Sequence, residues 1–232
     1  MDLILYIAAL VAIAISLWAQ FKVNSTFNRF STFPTACRRT AVTVARSMLD
    51  SAGLYHVRIE RVRGSLTDHY DPTAGVLRLS DTVYDSASAA AIGVAAHEAG
   101  HAIQHAEGYA PIKLRTALVP VTSFASKFSW IIIIAGILFM NVSGDGLGYY
   151  IALFGIGLFA FTTLFQLVTL PCEFDASSRA MRALESSGYY NGEELSASRK
   201  VLFAAALTYV ASFAVSLIQL LRLLMRVNGR RR

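Results

Sequence analysis

The sequence predicts a mainly α-helical membrane protein, with about four transmembrane helices and a small α+β part outside the bilayer. Hydrophobic residues make up 55% of the 232 residues, and the mean hydropathy is +0.49. Soluble domains usually have an apolar share of about 45–50%, counted more narrowly. The excess lies in four long apolar runs, and the polar remainder is long enough to form one small core.

The first apolar run begins almost at the N-terminus. Residues 3–18 are nearly all apolar, and residues 19–23 extend the run. At 1.5 Å per residue this length crosses most of the hydrocarbon core. Because no basic segment precedes the run and no clear small-residue cleavage site follows it, we interpret it as an uncleaved anchor rather than a signal peptide.

The next segment has the pattern of a folded α+β part. Residues 40–52 carry apolar side chains at helical spacing, and Gly53 is the predicted stop. Residues 57–63 and 76–80 are typical of short strands, and the Asp-Pro-Thr-Ala-Gly sequence at 71–75 predicts a turn between them.

An Ala-rich helix is predicted after these strands. Asp85 or Ser86 is the expected N-cap, and Gly108 is the expected end. Its three histidines, two glutamates and one glutamine would be costly in lipid. We therefore place this helix outside the membrane.

Three further spans are predicted, at about 119–142, 147–170 and 201–225. The second and third form a hairpin, because the turn at 141–146 is short and rich in glycine. That turn has no basic residue, which suits the outer face of the membrane. Pro171 is expected to end the third span.

The distribution of positive charge predicts the sidedness. Of the 21 lysines and arginines, 16 lie between Lys22 and Lys200, so the positive-inside rule puts the polar segments in the cytoplasm and the N-terminus outside. The basic tail at 226–232 conflicts with this assignment, because four full crossings would place it outside. We expect an integral protein of the plasma membrane whose polar part faces the cytoplasm.

The net charge of +6 does not indicate nucleic-acid binding. No basic stripe interleaved with aromatic residues is present, so we attribute the charge to membrane topology and to attraction by anionic headgroups. The two cysteines, Cys37 and Cys172, do not indicate a disulfide framework.

The Ala-rich helix contains His97-Glu98-x-x-His101, an H-E-x-x-H pattern. Residues four apart on a helix differ by about 40° in direction, so both imidazoles point the same way and can bind one Zn²⁺. Glu98, beside the first histidine, is placed to act as general base on a water that the metal activates.

A hydrolytic zinc site needs a third protein ligand. The predicted hairpin returns the chain to the side of His97 and His101 just before Glu173, which is therefore the candidate oxygen ligand. Asp175 remains an alternative as ligand or support, whereas ligation by His105 or Cys172 is less favoured.

At this point the sequence resembles the YugP-type zinc-dependent membrane peptidases over most of its length. The residues that carry the resemblance are Asp71-Pro72, Leu79-Ser80, Val83-Tyr84, the run from Ala95 to Gln104, and the run from Leu170 to Ala180. The resemblance implies a gluzincin with a zincin-like part, in which His97, His101 and Glu173 bind one Zn²⁺ per chain. It implies that Glu98 acts as base and acid.

The sequence is more distantly similar to the HtpX-type membrane proteases, whose third-ligand motif is E-x-x-x-D. Ser177 stands four residues after Glu173, where that motif has its aspartate. This difference leaves open which side chain orients the histidines.

These observations predict a membrane zinc metalloendopeptidase, with polypeptides, chiefly membrane proteins, as its substrates. The alternatives are an intramembrane site-2-type protease, a non-enzymatic membrane protein with a structural metal site, and a binding or scaffold protein whose site is degenerate. The predicted segments are an anchor at 1–21, a catalytic part at 22–117, a transmembrane hairpin at 118–170, a third-ligand segment at 171–200, and a final transmembrane helix with the basic tail at 201–232.

Overall fold

The computed structural model describes residues 2–142 and 146–229. The predicted outer turn and the end of the basic tail lie partly outside the described residues, at 143–145 and 230–232. The helices are α1 (Asp2–Ser31), α2 (Ala41–Ser51), α3 (Ala89–Glu107), α4 (Ala110–Val142), α5 (Leu147–Ser186) and α6 (Gly192–Gly229), and the strands are β1 (Arg58–Val62), β2 (His69–Asp71) and β3 (Val76–Ser80).

The chain divides into two compact units. The membrane unit contains residues 1–18, 114–170 and 209–232, and the polar unit contains residues 19–113 and 171–208.

In the membrane unit, the helical segments come from α1, α4, α5 and α6, which among the described residues are the four helices long and apolar enough to cross a bilayer. Large apolar side chains such as Ile131 and Phe154 remain exposed on their surfaces, as expected of groups that face lipid. A smaller set packs inside the unit around Ile133, Ile156 and Leu223. The predicted mainly α-helical membrane protein with four spans is confirmed.

The polar unit has a single core that α2, α3 and the sheet share with the end of α5 and the start of α6. β3 is the central strand, parallel to β1 and antiparallel to β2. Helix α2 forms within the predicted helical segment 40–52, and β3 coincides with the predicted strand 76–80. Strand β2 was not predicted, because its three residues are too few to show a period-2 pattern.

Helix α3 begins later than predicted. Its N-cap is Ser88, whose hydroxyl accepts a hydrogen bond from the Ala91 amide at 3.2 Å, so the assignment to Asp85 or Ser86 was wrong. Gly108 ends the helix in the left-handed conformation, as predicted.

Helix α5 does not end at Pro171, contrary to our prediction. It continues to Ser186, because a proline removes only one helical donor while the following turns gain a buried face. That face has helical spacing and consists of Cys172, Ala176, Ala180 and Leu184. The apolar stretch 147–170 belongs to the membrane unit, and the turns after it belong to the polar unit.

Candidate metal centre

The polar unit brings together the three side chains that the sequence analysis selected as ligands. His97 and His101 lie one turn apart on α3, and Glu173 reaches them from α5. The Glu173 Oε2 atom is 3.2 Å from Nε2 of His97 and 3.4 Å from Nε2 of His101. All three candidate ligand atoms lie within 4.8 Å of one another, and the Glu173 side chain is only 2% exposed.

The geometry of this group fits a zinc ion. Two ligand atoms that are each about 2.0–2.1 Å from Zn²⁺, at the tetrahedral angle, lie about 3.3–3.4 Å apart. The two distances from Glu173 to the histidines match this separation. Two imidazoles and one carboxylate are also a donor set that suits zinc.

The electrostatics of the group favour a cation. Burial alone would raise the pKa of the Glu173 carboxyl, but His101 and His97 hold it well below its usual range. Burial likewise would lower the pKa of His101, yet Glu173 and Glu98 raise it. Glu173 therefore presents a charged carboxylate at neutral pH, in a buried place where a positive charge must balance it.

Glu98 lies outside the ligand group and is half-buried. It follows His97 directly on α3, and its charge acts on the His101 ring. A carboxylate in this place can accept a proton beside the metal position without occupying a coordination site.

Each histidine has a second polar contact, at the ring nitrogen that points away from Glu173. Nδ1 of His97 is 3.1 Å from the Ser177 hydroxyl, and Nδ1 of His101 is 2.9 Å from Oε1 of Gln104. Sequence reasoning missed both roles. The spacing of Gln104, three residues after His101, was an available signal; Ser177 is four after Glu173, but this spacing does not show that it meets His97.

The other candidates lie outside the group of three. Asp175, the alternative ligand, places its carboxylate against Arg179 and Gln104. The His105 ring packs near Tyr70, with 5.6 Å between ring centres. Cys172 is wholly buried on α5 and is not a member of the group.

The approach of α3 to α5 at Gly100 sets the position of Glu173. A Cβ added at Gly100 would lie 2.8 Å from the carbonyl oxygen of Ala176, which is closer than packed atoms allow. We expect Gly100→Ala to lower the free energy of unfolding by about 1–3 kcal/mol and to weaken zinc binding, because Glu173 moves away from the histidines. Thermal unfolding and metal content measure the two effects.

The matched control is Gly93→Ala on the same helix. A Cβ at Gly93 would meet Ser198 at 3.4 Å, an ordinary contact, and alanine favours the helix by up to about 1 kcal/mol over glycine. Equal losses of zinc in the two variants would contradict the role given to the Gly100 contact.

Comparison with known proteins identifies the family to which the chain belongs. Residues 5–228 match the family described as "Putative neutral zinc metallopeptidase". The chain is also 47% identical to "Putative membrane protease YugP" of Bacillus subtilis (strain 168) over 222 residues, which cover 95% of this chain and 96% of that protein. No solved structure shows a significant match. The chain therefore belongs to the neutral zinc metallopeptidase family, whose cofactor is Zn²⁺.

Proposed function

We propose that this protein is a membrane zinc metalloendopeptidase that hydrolyses peptide bonds, with His97, His101 and Glu173 as zinc ligands and Glu98 as the catalytic base. The observation that carries the proposal is the buried group of two imidazoles and one carboxylate, with its spacing of 3.2 and 3.4 Å. Glu98 stands beside that group without joining it.

Zn²⁺ held by these three side chains would polarise the scissile carbonyl and lower the pKa of an attacking water toward about 7. Glu98 takes the proton from that water as it attacks, and its carboxyl then delivers the proton to the nitrogen of the leaving amine. The two histidines and Glu173 hold their positions during the reaction because α3 and α5 are packed closely around Gly100.

The proposed substrates are polypeptides, with membrane proteins and their exposed segments favoured. Four helices anchor the chain in the bilayer, so substrates in the same membrane meet it at a high effective concentration. The relative from Bacillus subtilis is described as a membrane protease, which supports this proposal.

Hydrolysis assays test the proposed activity. The purified, zinc-loaded protein is incubated with casein and with a membrane-spanning peptide, beside its Glu98→Gln variant. New amino termini released by the wild type alone support the proposal, whereas a zinc-loaded wild type that cleaves neither substrate contradicts it.

The intramembrane site-2-type alternative is not supported by the described residues. A site-2-type protease carries its H-E-x-x-H pattern on a strongly apolar span. Helix α3, which carries His97 and His101, is not among the four helices long and apolar enough to cross a membrane. Glu173 follows the apolar stretch 147–170 and belongs to the polar unit.

We also propose that the polar unit faces the cytoplasm and that the protein resides in the plasma membrane. The support is the concentration of lysine and arginine between Lys22 and Lys200 and the absence of basic residues from the sequence at 141–146.

Cysteine labelling in intact cells tests this sidedness. We expect Ser143→Cys to react with a membrane-impermeant maleimide in intact cells, and Ser65→Cys to react only after permeabilisation. Ser65 is exposed in the polar unit, so its labelling depends on the side of the membrane. Both cysteines are introduced into a Cys37→Ser background, in which the remaining native cysteine, Cys172, is wholly buried. Labelling of Ser65→Cys in intact cells would contradict the proposed orientation.

A further inference from the structure

A continuous chain of polar contacts leads from His101 out to the surface of the polar unit. Gln104 Oε1 is 2.9 Å from Nδ1 of His101, and Gln104 Nε2 is 2.8 Å from Oδ2 of Asp175. Arg179 Nε donates to the same Asp175 oxygen at 2.6 Å. A second Arg179 nitrogen donates to Glu107, which is half exposed, at 2.7 Å.

The surroundings of Gln104 fix the orientation of its side-chain amide. The nitrogen faces two acceptors, the carbonyl oxygen of Cys172 and the carboxylate of Asp175, each at 2.8 Å. If the amide were turned round, its oxygen would face both acceptors with no proton between them. Gln104 is 0% exposed, so no bulk water could relieve that arrangement.

The orientation of the amide in turn fixes the tautomer of His101. Gln104 presents only its oxygen to Nδ1, and an amide oxygen accepts but cannot donate. Nδ1 of His101 must therefore carry the proton. In the neutral ring, Nε2 is then left with its lone pair directed at the place between Glu173 and His97 where the metal would bind.

We propose that Gln104, held in turn by Asp175 and Arg179, is the positioning residue that fixes the ring orientation and the tautomer of His101 for zinc. This inference rests on the zinc site of the proposed function. It assigns Asp175 a supporting role behind the ligands.

The two histidines differ in how firmly they are specified. The Ser177 hydroxyl near Nδ1 of His97 can donate or accept, so it is compatible with either tautomer. Gln104 allows only one tautomer of His101. It also donates a hydrogen bond to Asp175, which pairs with Arg179, and hydrogen bonds to charged groups are about twice as strong as those between neutral groups. This series of polar contacts also links the two helices that carry the ligands, since Gln104 lies on α3 and Asp175 on α5.

Zinc affinity of Gln104→Leu is the principal test. Leucine fills a similar volume, but it offers no acceptor to His101. We expect the Kd for zinc, measured by competition with a chromophoric chelator, to rise about 10–100-fold. We also expect the visible absorption bands of the Co²⁺-substituted protein to shift, because the His101 ring is no longer held in one orientation.

A matched control separates positioning from general stability. The Ser198 hydroxyl is buried and donates to the carbonyl oxygen of Ala89 at 2.8 Å. Ala89 lies on α3, the helix that also carries Gln104. Ser198→Ala removes that bond without touching a ligand. It should lower the unfolding temperature while leaving the zinc Kd and the cobalt spectrum as in the wild type.

Asp175→Asn tests the next contact in the series, one step further from the metal. It replaces Gln104→Leu as the principal test if that variant does not fold. We expect it to raise the zinc Kd, by less than Gln104→Leu. Because both residues act through the same contact to His101, the double variant should bind zinc no more weakly than Gln104→Leu alone.

A wild-type zinc Kd and cobalt spectrum in Gln104→Leu would overturn the proposal. If Gln104→Leu does not fold, an unchanged zinc Kd in Asp175→Asn would overturn it. If Gln104→Leu does fold, fully additive effects of the two substitutions on zinc binding would also overturn it. None of these readouts depends on hydrolysis, so a protein that binds zinc but cleaves nothing would refute the proposed function and still test this inference.

Discussion

Replacement of Glu98 by glutamine is expected to lower kcat/KM for peptide hydrolysis by about 10²–10⁴-fold, the usual contribution of a general base, while zinc content stays at the wild-type level. Glutamine has nearly the same shape but cannot accept a proton from the attacking water. Glu98 is half-buried and is not a member of the ligand group. Loss of the Glu98 carboxylate should therefore change neither the fold nor the binding of zinc.

The control for this measurement is the same substitution at a glutamate that lies in the folded protein but outside the metal site. Glu185 lies on α5, where its partly exposed carboxylate pairs with Arg199, and Glu185→Gln should keep both zinc and activity. A Glu98→Gln protein that is as active as Glu185→Gln would exclude Glu98 as the base. If zinc were lost together with activity in Glu98→Gln, the result would instead indicate that Glu98 supports the metal.

The parts of this structure that the sequence predicted are those governed by local pattern. The apolar runs predicted the four spans because burial in lipid requires a long apolar helix. Helical spacing predicted α2, and Gly108 predicted the end of α3, since its left-handed conformation favours glycine. The spacing of His97 and His101 placed both rings on one face of α3.

Local pattern was misleading where tertiary packing outweighs it. Pro171 suggested a helix end, but the buried residues that follow it sustain the helix through Ser186. The apolar and polar parts of α5 differ so strongly in composition that local pattern predicts two separate segments. The positions 172, 176, 180 and 184 share one face, and this spacing was the available sign of continuity.

Contacts between distant parts of the chain could not be read from spacing alone. Ser177 and His97 are 80 residues apart, and Gln104 and Asp175 are 71 apart. Residue types showed that these side chains can form hydrogen bonds, but only the packing of α3 on α5 shows which of them meet. The sequence alone therefore does not determine which side chains face the histidine rings.

Loss of the Glu173 carboxylate is expected to cost more zinc affinity than any other single change outside the two histidines. Glu173→Gln keeps the size of the side chain but removes the charge that faces Nε2 of both histidines, at 3.2 and 3.4 Å. The zinc Kd should rise by more than the roughly 10–100-fold that follows loss of an outer contact. Hydrolysis should fall with zinc occupancy.

Asp175→Asn is the informative comparison, because Asp175 was the alternative third ligand and lies only two residues away. Its carboxylate is bound by Arg179 and Gln104 at 2.6 and 2.8 Å, so we expect a smaller rise in the zinc Kd than in Glu173→Gln. Equilibrium dialysis and metal analysis of both variants at neutral pH give the order directly. If Asp175→Asn lost zinc and Glu173→Gln kept it, the third ligand would be Asp175, and α5 would have to turn in solution so that its next acidic side chain faces the histidines.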